Sequence, residues 1–308
     1  MLNGHLDTVG VAGMAEPFVP RVEGDRLYGR GAADMKGGVA ALVVAAERLV
    51  AVGAPVRPVL ALVADEEDAS VGSEAVIAAL PELGVRPDVC LIAEPTDLAV
   101  ARSLRGFAVV RVSVPGRAVH SSQAELGVNA VTHLGRLLHA VDERAPAVRA
   151  RGGDLMVTLV RGGSSAFVVP DHAECLVEMR TTPDENSAEA LSEVRALLDP
   201  AWQAEAELVA DRDGWRLDEV GPAATLGAAL DARLGPVPAF DAPYWMEAPL
   251  WQEMCPTLVC GPTGGGLHAV DERVDLGQVR AFTDALVQVL QDWSADGRIS
   301  SEKSRRRP

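Results

Sequence analysis

Hydrophobic residues in the first hundred positions follow two alternating patterns. VLALVAD at 59–65 and VCLIAE at 89–94 are short apolar runs that end in a carboxylate, which is typical of buried parallel strands. MKGGVAALVVAAERLVAV at 35–52 predicts a long helix that ends before Gly53. The alternation predicts an open α/β sheet, with Asp65 and Glu94 at strand C-terminal ends, where such sheets place their sites.

Positions 107–211 indicate a different order: strand, helix, strand, strand, helix, strand. The segments are FAVVRVSVPG (107–116), NAVTHLGRLLHAVDERA (129–145), LMVTLV (155–160), HAECLVEMR (172–180), SAEALSEVRALLD (187–199) and AEAELVAD (204–211). This order predicts a split βαβ sandwich, which is a ferredoxin-like α+β domain. Within 172–180, apolar and polar residues alternate, which predicts a sheet with one wetter face.

The first pattern returns after about Asp213, with a helix (AATLGAALDARLG), a strand (TLVCGP) and a last helix (QVRAFTDALVQVLQDW). The ferredoxin-like domain is therefore predicted to be inserted into a larger α/β domain with a mostly parallel sheet. We expect the larger domain at 1–104 and 213–295, the inserted domain at 105–212, and a disordered polar tail at 296–308.

Charge and cysteine content narrow the class of protein. The 308 residues carry a formal net charge of −16, which disfavours binding to nucleic acid or to an anionic membrane. No apolar run reaches the roughly 18 residues of a membrane span. Cys90, Cys175, Cys255 and Cys260 form no CxxC pair, so reduced core thiols and a cytoplasmic location are expected.

Histidines and carboxylates with metal-ligand chemistry are spread along the chain. His5 and Asp7 are two apart, so in an extended segment they share a face and suit a metal ligand and the carboxylate that orients it. Asp34 lies among glycines that permit tight turns around an inward-facing carboxylate. Asp65-Glu66-Glu67 and Glu94 each follow an apolar strand, and His268 lies in the glycine-rich loop GPTGGGLHAVDE.

Each of these motifs alone also has an ordinary structural explanation. A lone HxD fits a surface histidine, Asp34 fits a helix N-cap, and the DEE run fits a solvated acidic loop. Two nucleotide-binding alternatives fit poorly. GRGAAD has an aspartate where GxGxxG needs its last glycine, and GPTGGG is not followed by the Lys and Ser/Thr of a phosphate loop.

Eight segments together resemble one enzyme family. GHLDTV, YGRGAADMKGG, VADEED, IAEPT, GRAVHSS, GVNAV, VEMRTTP and GPTGGGLHAVDE match, in order, the motifs of the di-zinc hydrolases that include acetylornithine deacetylase, succinyl-diaminopimelate desuccinylase, aminoacylase and glutamate carboxypeptidases. The resemblance covers nearly the whole chain apart from its tail.

The resemblance implies a role for each matching residue. One metal ion would be held by His5, Asp34 and Glu94, and the other by Asp34, Glu67 and His268, so that Asp34 bridges them. Asp7 would orient His5, Glu66 would be the general base, and the Asp34–Met35 peptide bond would be cis. The two divalent ions implied are zinc, with cobalt or manganese as alternatives.

The inserted domain resembles the family's lid and dimerisation domain, which implies a homodimer. His120 in GRAVHSS would then reach the partner subunit's site and stabilise the oxyanion, and Arg180 would bind a substrate carboxylate. A loop histidine and a structural partner for Glu178 are the alternatives for these two residues. His133, His139 and His172 match no catalytic position and are expected at the surface.

Two segments depart from the family pattern. Phe167 stands in SSAFVVP where the family has a substrate-contacting asparagine, and an apolar ring cannot replace the hydrogen bonds of an amide. Relatives also carry a further helix and strand before GHLD. The sheet of the present chain is therefore expected to expose an apolar face and an open edge.

The expected reaction is metal-assisted hydrolysis of the amide bond of a small N-acyl amino acid. A dipeptidase or carboxypeptidase with the same di-zinc site is the nearest alternative, because both substrates present an amide next to a carboxylate. An N-terminally truncated remnant, without catalysis but able to bind metal or dimerise, is the alternative from another class.

Overall fold

The computed structural model describes residues 1–235 and 237–293. The tail predicted at 296–308 lies outside these residues. The strands are β1 (Leu2–His5), β2 (Arg21–Glu23), β3 (Arg26–Tyr28), β4 (Leu60–Val63), β5 (Cys90–Ile92), β6 (Ala101–Leu104), β7 (Gly106–Pro115), β8 (Asp154–Gly162), β9 (His172–Thr181), β10 (Glu205–Arg212), β11 (Trp215–Arg216), β12 (Phe240–Ala242), β13 (Thr257–Val259), β14 (Gly264–Gly265) and β15 (Arg273–Asp275).

Helices connect many of these strands. They are α1 (Gly37–Ala51), α2 (Val71–Ala79), α3 (Ala130–Ala150), α4 (Ser187–Arg195), α5 (Pro222–Leu234), α6 (Ala248–Gln252) and α7 (Leu276–Gln291). Short helical turns cover Ala32–Lys36, Ser121–Leu126 and Pro200–Trp202. Within the described residues, no helix is both long enough and apolar enough to cross a membrane.

The chain divides into two compact units. The first comprises Met1–Arg102, Leu217–Asp241 and the described residues from Met246 onward, and the second comprises Ser103–Arg216 and Ala242–Trp245. The sequence-based boundaries at 104/105 and 212/213 lie within four residues of these divisions. The second unit also includes the short return segment Ala242–Trp245, which the sequence pattern did not indicate.

The first unit is built on a parallel sheet in the order β13-β5-β1-β4. Helix α1 packs on β1 and β4 and also contacts α7. A second, antiparallel sheet in the order β14-β15-β3-β2 pairs two hairpin segments far apart in the chain. The mostly parallel α/β fold predicted for this part of the chain is confirmed.

One edge of the parallel sheet has apolar side chains at the surface. Strand β4 lies at the end of the strand order, and its Ala61 and Val63 are buried while Leu60 and Leu62 are 37% and 40% exposed. Because successive side chains of a strand point to opposite sides, the exposed Leu60 and Leu62 lie on one face of β4.

The second unit is the predicted ferredoxin-like sandwich. Its antiparallel sheet has the order β10-β7-β9-β8, with α3 and α4 packed against it. Along β9, Ala173, Cys175, Val177 and Met179 are buried and alternate with half-buried residues, as predicted. Helix α3 continues to Ala150, beyond the predicted end at 145 and through Pro146, because Val148 still packs in the core of this unit.

The structure corrects one smaller expectation and excludes one alternative explanation. His133 is half-buried and stacks on Trp202 with ring centroids 5.7 Å apart, so it is not a free surface residue, whereas His139 and His172 are exposed. Asp34 is not a helix N-cap, because α1 begins at Gly37 after Lys36 and Asp34 has extended backbone angles.

Candidate metal centre

Three neighbouring strands bring the predicted residues of the first unit to one edge of the parallel sheet. Strand β1 ends at His5, β4 ends three residues before the pair Glu66-Glu67, and β5 ends two residues before Glu94. Because β5, β1 and β4 are adjacent and parallel, their C-terminal ends meet at the same edge. The apolar strands thus bring carboxylates and an imidazole together at their C-terminal ends.

Asp34 lies between two histidines. Its Oδ1 is 3.0 Å from Nε2 of His5, and its Oδ2 is 3.2 Å from Nε2 of His268. Nε2 of His268 is also 3.3 Å from Oε2 of Glu67, and Nε2 of His5 is 3.8 Å from Oε1 of Glu94. The two oxygens of one carboxylate therefore face two different sets of donor atoms, which is the arrangement of a bridging ligand.

The donor atoms form two overlapping groups. Ligand atoms of His5, Asp34 and Glu67 lie within 4.8 Å of one another, and so do those of His5, Glu66 and Glu94. The second group differs from the set predicted for the first metal, because Glu66 stands with His5 and Glu94 in place of Asp34. Imidazole nitrogens and carboxylate oxygens are the donors that zinc takes in catalytic sites, so the chemistry of the donor set fits divalent ions.

Asp7 contacts both His5 at the end of β1 and the loop that follows β4. Nδ1 of His5 donates to the backbone oxygen of Asp7 at 3.2 Å and lies 3.4 Å from its Oδ1. Asp7 Oδ2 accepts a hydrogen bond from the backbone N–H of Glu67 at 3.1 Å. Since a carbonyl oxygen can only accept, Nδ1 carries a hydrogen, and Nε2 is the ring atom that faces the cluster.

The peptide bond Asp34–Met35 is cis, as predicted. Gly31, three residues earlier, has φ +78°, in the left-handed region that favours glycine. His268 itself has φ +60°, after two further glycines with positive φ, so the loop that presents it also depends on backbone conformations that few other residues adopt.

Burial and repulsion between carboxylates raise the pKa values of the three glutamates in the cluster. Burial raises the pKa of Glu66 to about 8, and the charges of Glu247, Asp34 and Glu67 add to this against the opposing effect of His5. Burial and the charge of Asp34 also raise the pKa of Glu94 and of Glu67. A group of acids in this state is stabilised by positive charge, which divalent cations would supply.

The histidines and the central carboxylate show the opposite effects. Burial would lower the pKa of His5, but its hydrogen bond to Asp34 and the charges of Glu94 and Glu66 raise it to about 10. Burial would raise the pKa of Asp34, but hydrogen bonds from His268 and His5 hold it well below its usual range. The hydrogen bond to Asp34 likewise raises the pKa of His268.

Three residues near this cluster had no assigned role in the sequence analysis. Glu247 is 1% exposed, accepts a hydrogen bond from Ser73 Oγ at 2.7 Å, and leaves its Oε1 without a partner among the described residues. Lys36 Nζ donates to the backbone oxygen of Asp7 at 3.2 Å. Glu272 accepts hydrogen bonds from the turn that carries Asp34. Two of these residues lie in motifs quoted above, Lys36 in YGRGAADMKGG and Glu272 in GPTGGGLHAVDE, whereas Glu247 lies in none of them.

The other two predicted residues belong to the second unit. His120 is exposed, and its Nδ1 accepts a hydrogen bond from the backbone N–H of Ser122 at 3.2 Å, which leaves Nε2 as the donor of a neutral ring. Arg180 pairs with Glu178, with Nε 2.7 Å from Oε1, and its guanidinium lies over the ring of Phe107. Phe167, at the position of the expected asparagine, is 70% exposed.

Comparison with known sequences gives a single consistent family. The model of peptidase family M20/M25/M40 matches residues 1–292. The succinyl-diaminopimelate desuccinylase of Dinoroseobacter shibae is 32% identical over 95% of this chain and 83% of its own length. The acetylornithine deacetylase of Edwardsiella ictaluri is 31% identical over 95% of this chain and 80% of its own length.

Solved structures show the same fold at lower identity. A tripeptidase from Staphylococcus aureus aligns with a TM-score of 0.78 at 15% identity, covering 94% of this chain and 79% of its own. A dinuclear metal-binding peptidase of the M20 family from Bacillus subtilis aligns with a TM-score of 0.69 at 18% identity, covering 94% and 81%.

Proposed function

The chain belongs to peptidase family M20/M25/M40, and from this membership and its metal centre we propose that it hydrolyses the amide bond of an N-acyl amino acid. Members of the family are hydrolytic enzymes that act on amide bonds, and this chain is an enzyme of that class. The observation that carries the proposal is the position of Asp34 between His5 and His268, with three further carboxylates around it.

Two divalent ions fit the donor atoms. His5, Asp34 and Glu94 would hold one ion, and Asp34, Glu67 and His268 the other, with zinc as the proposed metal and cobalt or manganese as alternatives. When bound, such ions polarise a carbonyl group and lower the pKa of water. Asp7 would keep the imidazole of His5 in the orientation and tautomer that a ligand needs.

Glu66 is proposed as the general base. Its carboxylate lies within 4.8 Å of the ligand atoms of His5 and Glu94, which would place it beside the ions, and the proposed ligand sets leave it free to act as a base. It would take a proton from the attacking water and return it to the nitrogen of the leaving amine. The neighbouring Glu67 would remain ionised as a ligand, which gives two adjacent carboxylates separate tasks.

Recognition of the substrate is proposed on the motifs of the second unit. Arg180 would bind the carboxylate of the amino acid, since its planar guanidinium suits bidentate contact with a carboxylate. His120 would donate from Nε2 to the oxyanion in the site of a partner subunit, which requires a homodimer formed through this unit.

The four buried, unpaired cysteines are typical of a reducing compartment and support a cytoplasmic location.

A peptidase is the second candidate. The printed names of the curated relatives favour a deacylase, whereas a solved neighbour of the same fold is a tripeptidase. Purified protein should be assayed with Zn²⁺ on N-acetyl and N-succinyl amino acids and, at equal concentration, on dipeptides. Higher kcat/KM on the acylated amino acids is expected, and hydrolysis of dipeptides alone would assign the chain to the peptidases.

Glu66→Gln tests the assignment of the general base. The substitution keeps the shape of the side chain but cannot accept a proton, so kcat should fall by about 10²–10⁴-fold with two metals still bound. Asp68→Asn, at an exposed acid of the same loop, is the matched control and should keep normal turnover. Near-normal turnover of Glu66→Gln would remove this residue from the role. Two bound metals without hydrolysis of any of these substrates would indicate a metal-binding protein without this catalytic activity.

A further inference from the structure

The side chain of Glu272 is buried and fully used by hydrogen bonds. It is 1% exposed, and its Oε2 accepts from Arg30 Nη1 at 2.7 Å and from the backbone N–H of Gly31 at 3.0 Å. Its Oε1 accepts from the backbone N–H of Ala33 at 3.0 Å and of Asp34 at 3.1 Å. One carboxylate thus holds three amides of a single turn, and the last of them belongs to Asp34 itself.

Glu272 also lies on the segment that carries His268. It follows His268 by four residues and directly precedes β15, which pairs with β3 just before the turn of Asp34. Its backbone oxygen accepts a hydrogen bond from Gly29 N–H at 3.2 Å. The segments that present Asp34 and His268 are therefore joined through this one residue.

The link that Glu272 makes between the segments of Asp34 and His268 should affect the two proposed metal sites unequally. The ion proposed for Asp34, Glu67 and His268 takes two of its three ligands from the joined segments. The ion proposed for His5, Asp34 and Glu94 takes only one. Loss of the Glu272 hydrogen bonds should therefore change the geometry of the second site more than that of the first.

Stability alone is a weak explanation for this ion pair. The side chains of Arg30 and Glu272 are 2% and 1% exposed, and replacement of a buried ion pair by apolar residues is often neutral or stabilising. An apolar pair could not, however, accept the hydrogen bonds of Gly31, Ala33 and Asp34. The carboxylate at position 272 is therefore explained by the backbone N–H groups of the turn, which need hydrogen-bond acceptors.

We propose that Glu272 is a positioning residue that fixes Asp34 relative to His268 and so sets the affinity for the second metal ion. The proposal rests on the metal site of the proposed function. Arg30 compensates the charge of Glu272, so that the buried carboxylate can accept amide hydrogens without adding an unpaired charge beside the acidic cluster.

Two double variants separate the hydrogen bonds from the ion pair. R30M/E272Q and R30M/E272L both lack the two charges, but only the glutamine retains an oxygen that can accept from Ala33 and Asp34. Metal-free full-length protein should be titrated with Co²⁺, because its absorption spectrum reports the coordination geometry as well as the affinity. Unfolding by urea should be measured in parallel on the metal-free proteins.

At the site proposed for Asp34, Glu67 and His268, the wild-type protein and R30M/E272Q should bind Co²⁺ with affinities within about threefold of each other. R30M/E272L should bind this ion, called the second ion, about 10–100-fold more weakly. The affinity for the first ion, at the site proposed for His5, Asp34 and Glu94, should change much less in each variant. Equal second-ion affinities in the two variants, or equal weakening of both ions, would overturn the proposal. If R30M/E272L does not fold, E272D keeps the charge but shortens the reach, and it should weaken the second ion by at least about tenfold.

The Co²⁺ titration does not depend on which substrate the protein hydrolyses. A wild-type protein that binds two Co²⁺ ions but hydrolyses no N-acyl amino acid would refute the proposed function and leave the role of Glu272 open to the same titration. A wild-type protein that hydrolyses its substrate, with identical second-ion affinity in both double variants, would refute only the positioning role.

Discussion

At the scale of single residues, the close approach of Gly38 to Ala93 sets how α1 packs beside the metal centre. A Cβ atom at position 38 would lie 2.1 Å from the backbone oxygen of Ala93, next to Glu94. Gly135, in the middle of α3, is also helical, but a Cβ atom there would have no neighbour within 4 Å. The two glycines therefore predict opposite effects of the same substitution.

Gly38→Ala should destabilise the protein by about 1–3 kcal/mol or more, because the helix must shift away from a backbone atom that cannot move freely. Gly135→Ala should stabilise it by about 0.5–1 kcal/mol, since alanine loses less backbone entropy in a helix. Urea unfolding of both variants beside the wild type measures these free energies. A change of the same sign in both would contradict the packing argument.

The sequence indicated residues whose neighbours are near in the chain or whose strands end beside one another. His5 and Asp7 share a face through their spacing, and Glu94 follows an apolar strand. Glu247 and Glu272 carried no such signal, because their hydrogen-bond partners Ser73 and Asp34 are 174 and 238 positions away. Such contacts depend on the packing of whole elements, so residue types alone could not predict them.

At the scale of elements, α3 and α4 are linked by a carboxylate between two arginines. Glu193 on α4 forms ion pairs with Arg144 on α3 and with Arg151 at its end, where Nη2 lies 3.1 Å from Oε2. The hydrogen bond with Arg144 lowers the pKa of Glu193 against the opposing effect of burial, and the charge of Arg151 contributes. A carboxylate with a lowered folded-state pKa stabilises the fold above its unfolded pKa.

Glu193→Gln should therefore lower the free energy of unfolding at pH 7 by a few tenths to about 1 kcal/mol, because the ion pairs are partly exposed. As the pH falls below the unfolded pKa of about 4.3 and through the lower folded pKa, the wild type loses this contribution and the difference should vanish. Urea unfolding at pH 7 and below pH 4 measures it. Glu207→Gln, at a 65% exposed partner of Arg111, is the control and should change the free energy of unfolding at pH 7 by less than Glu193→Gln does.

Long elements could be predicted and the shortest could not. The helix expected at 35–52 is α1 (Gly37–Ala51), and the strand expected at 172–180 is β9 (His172–Thr181). The hairpin β2–β3 and the strands β14 and β15 span only two or three residues each, which is too short for a periodic pattern. They exist because residues near 28 pair with residues near 273.

At the scale of the whole molecule, every proposed metal ligand belongs to the first unit and none to the second. Ions that bind only the folded first unit stabilise it by mass action, by about 2.7 kcal/mol when free metal is at 100 times its dissociation constant. Removal of metal should therefore lower the stability of the first unit and leave that of the second unit unchanged. Local measurements can distinguish this effect from a general loss of stability.

Hydrogen exchange measured by mass spectrometry, with Zn²⁺ and after chelation, makes the comparison within one molecule. Peptides that contain β1, the turn of Asp34 and α1 should exchange faster after chelation, because their ligands are no longer held together. Peptides from α3 and β9 should be unchanged and serve as the internal control. Equal acceleration in both units, or none in the first, would show that the ions are not bound where the donor atoms of His5, Asp34 and His268 converge.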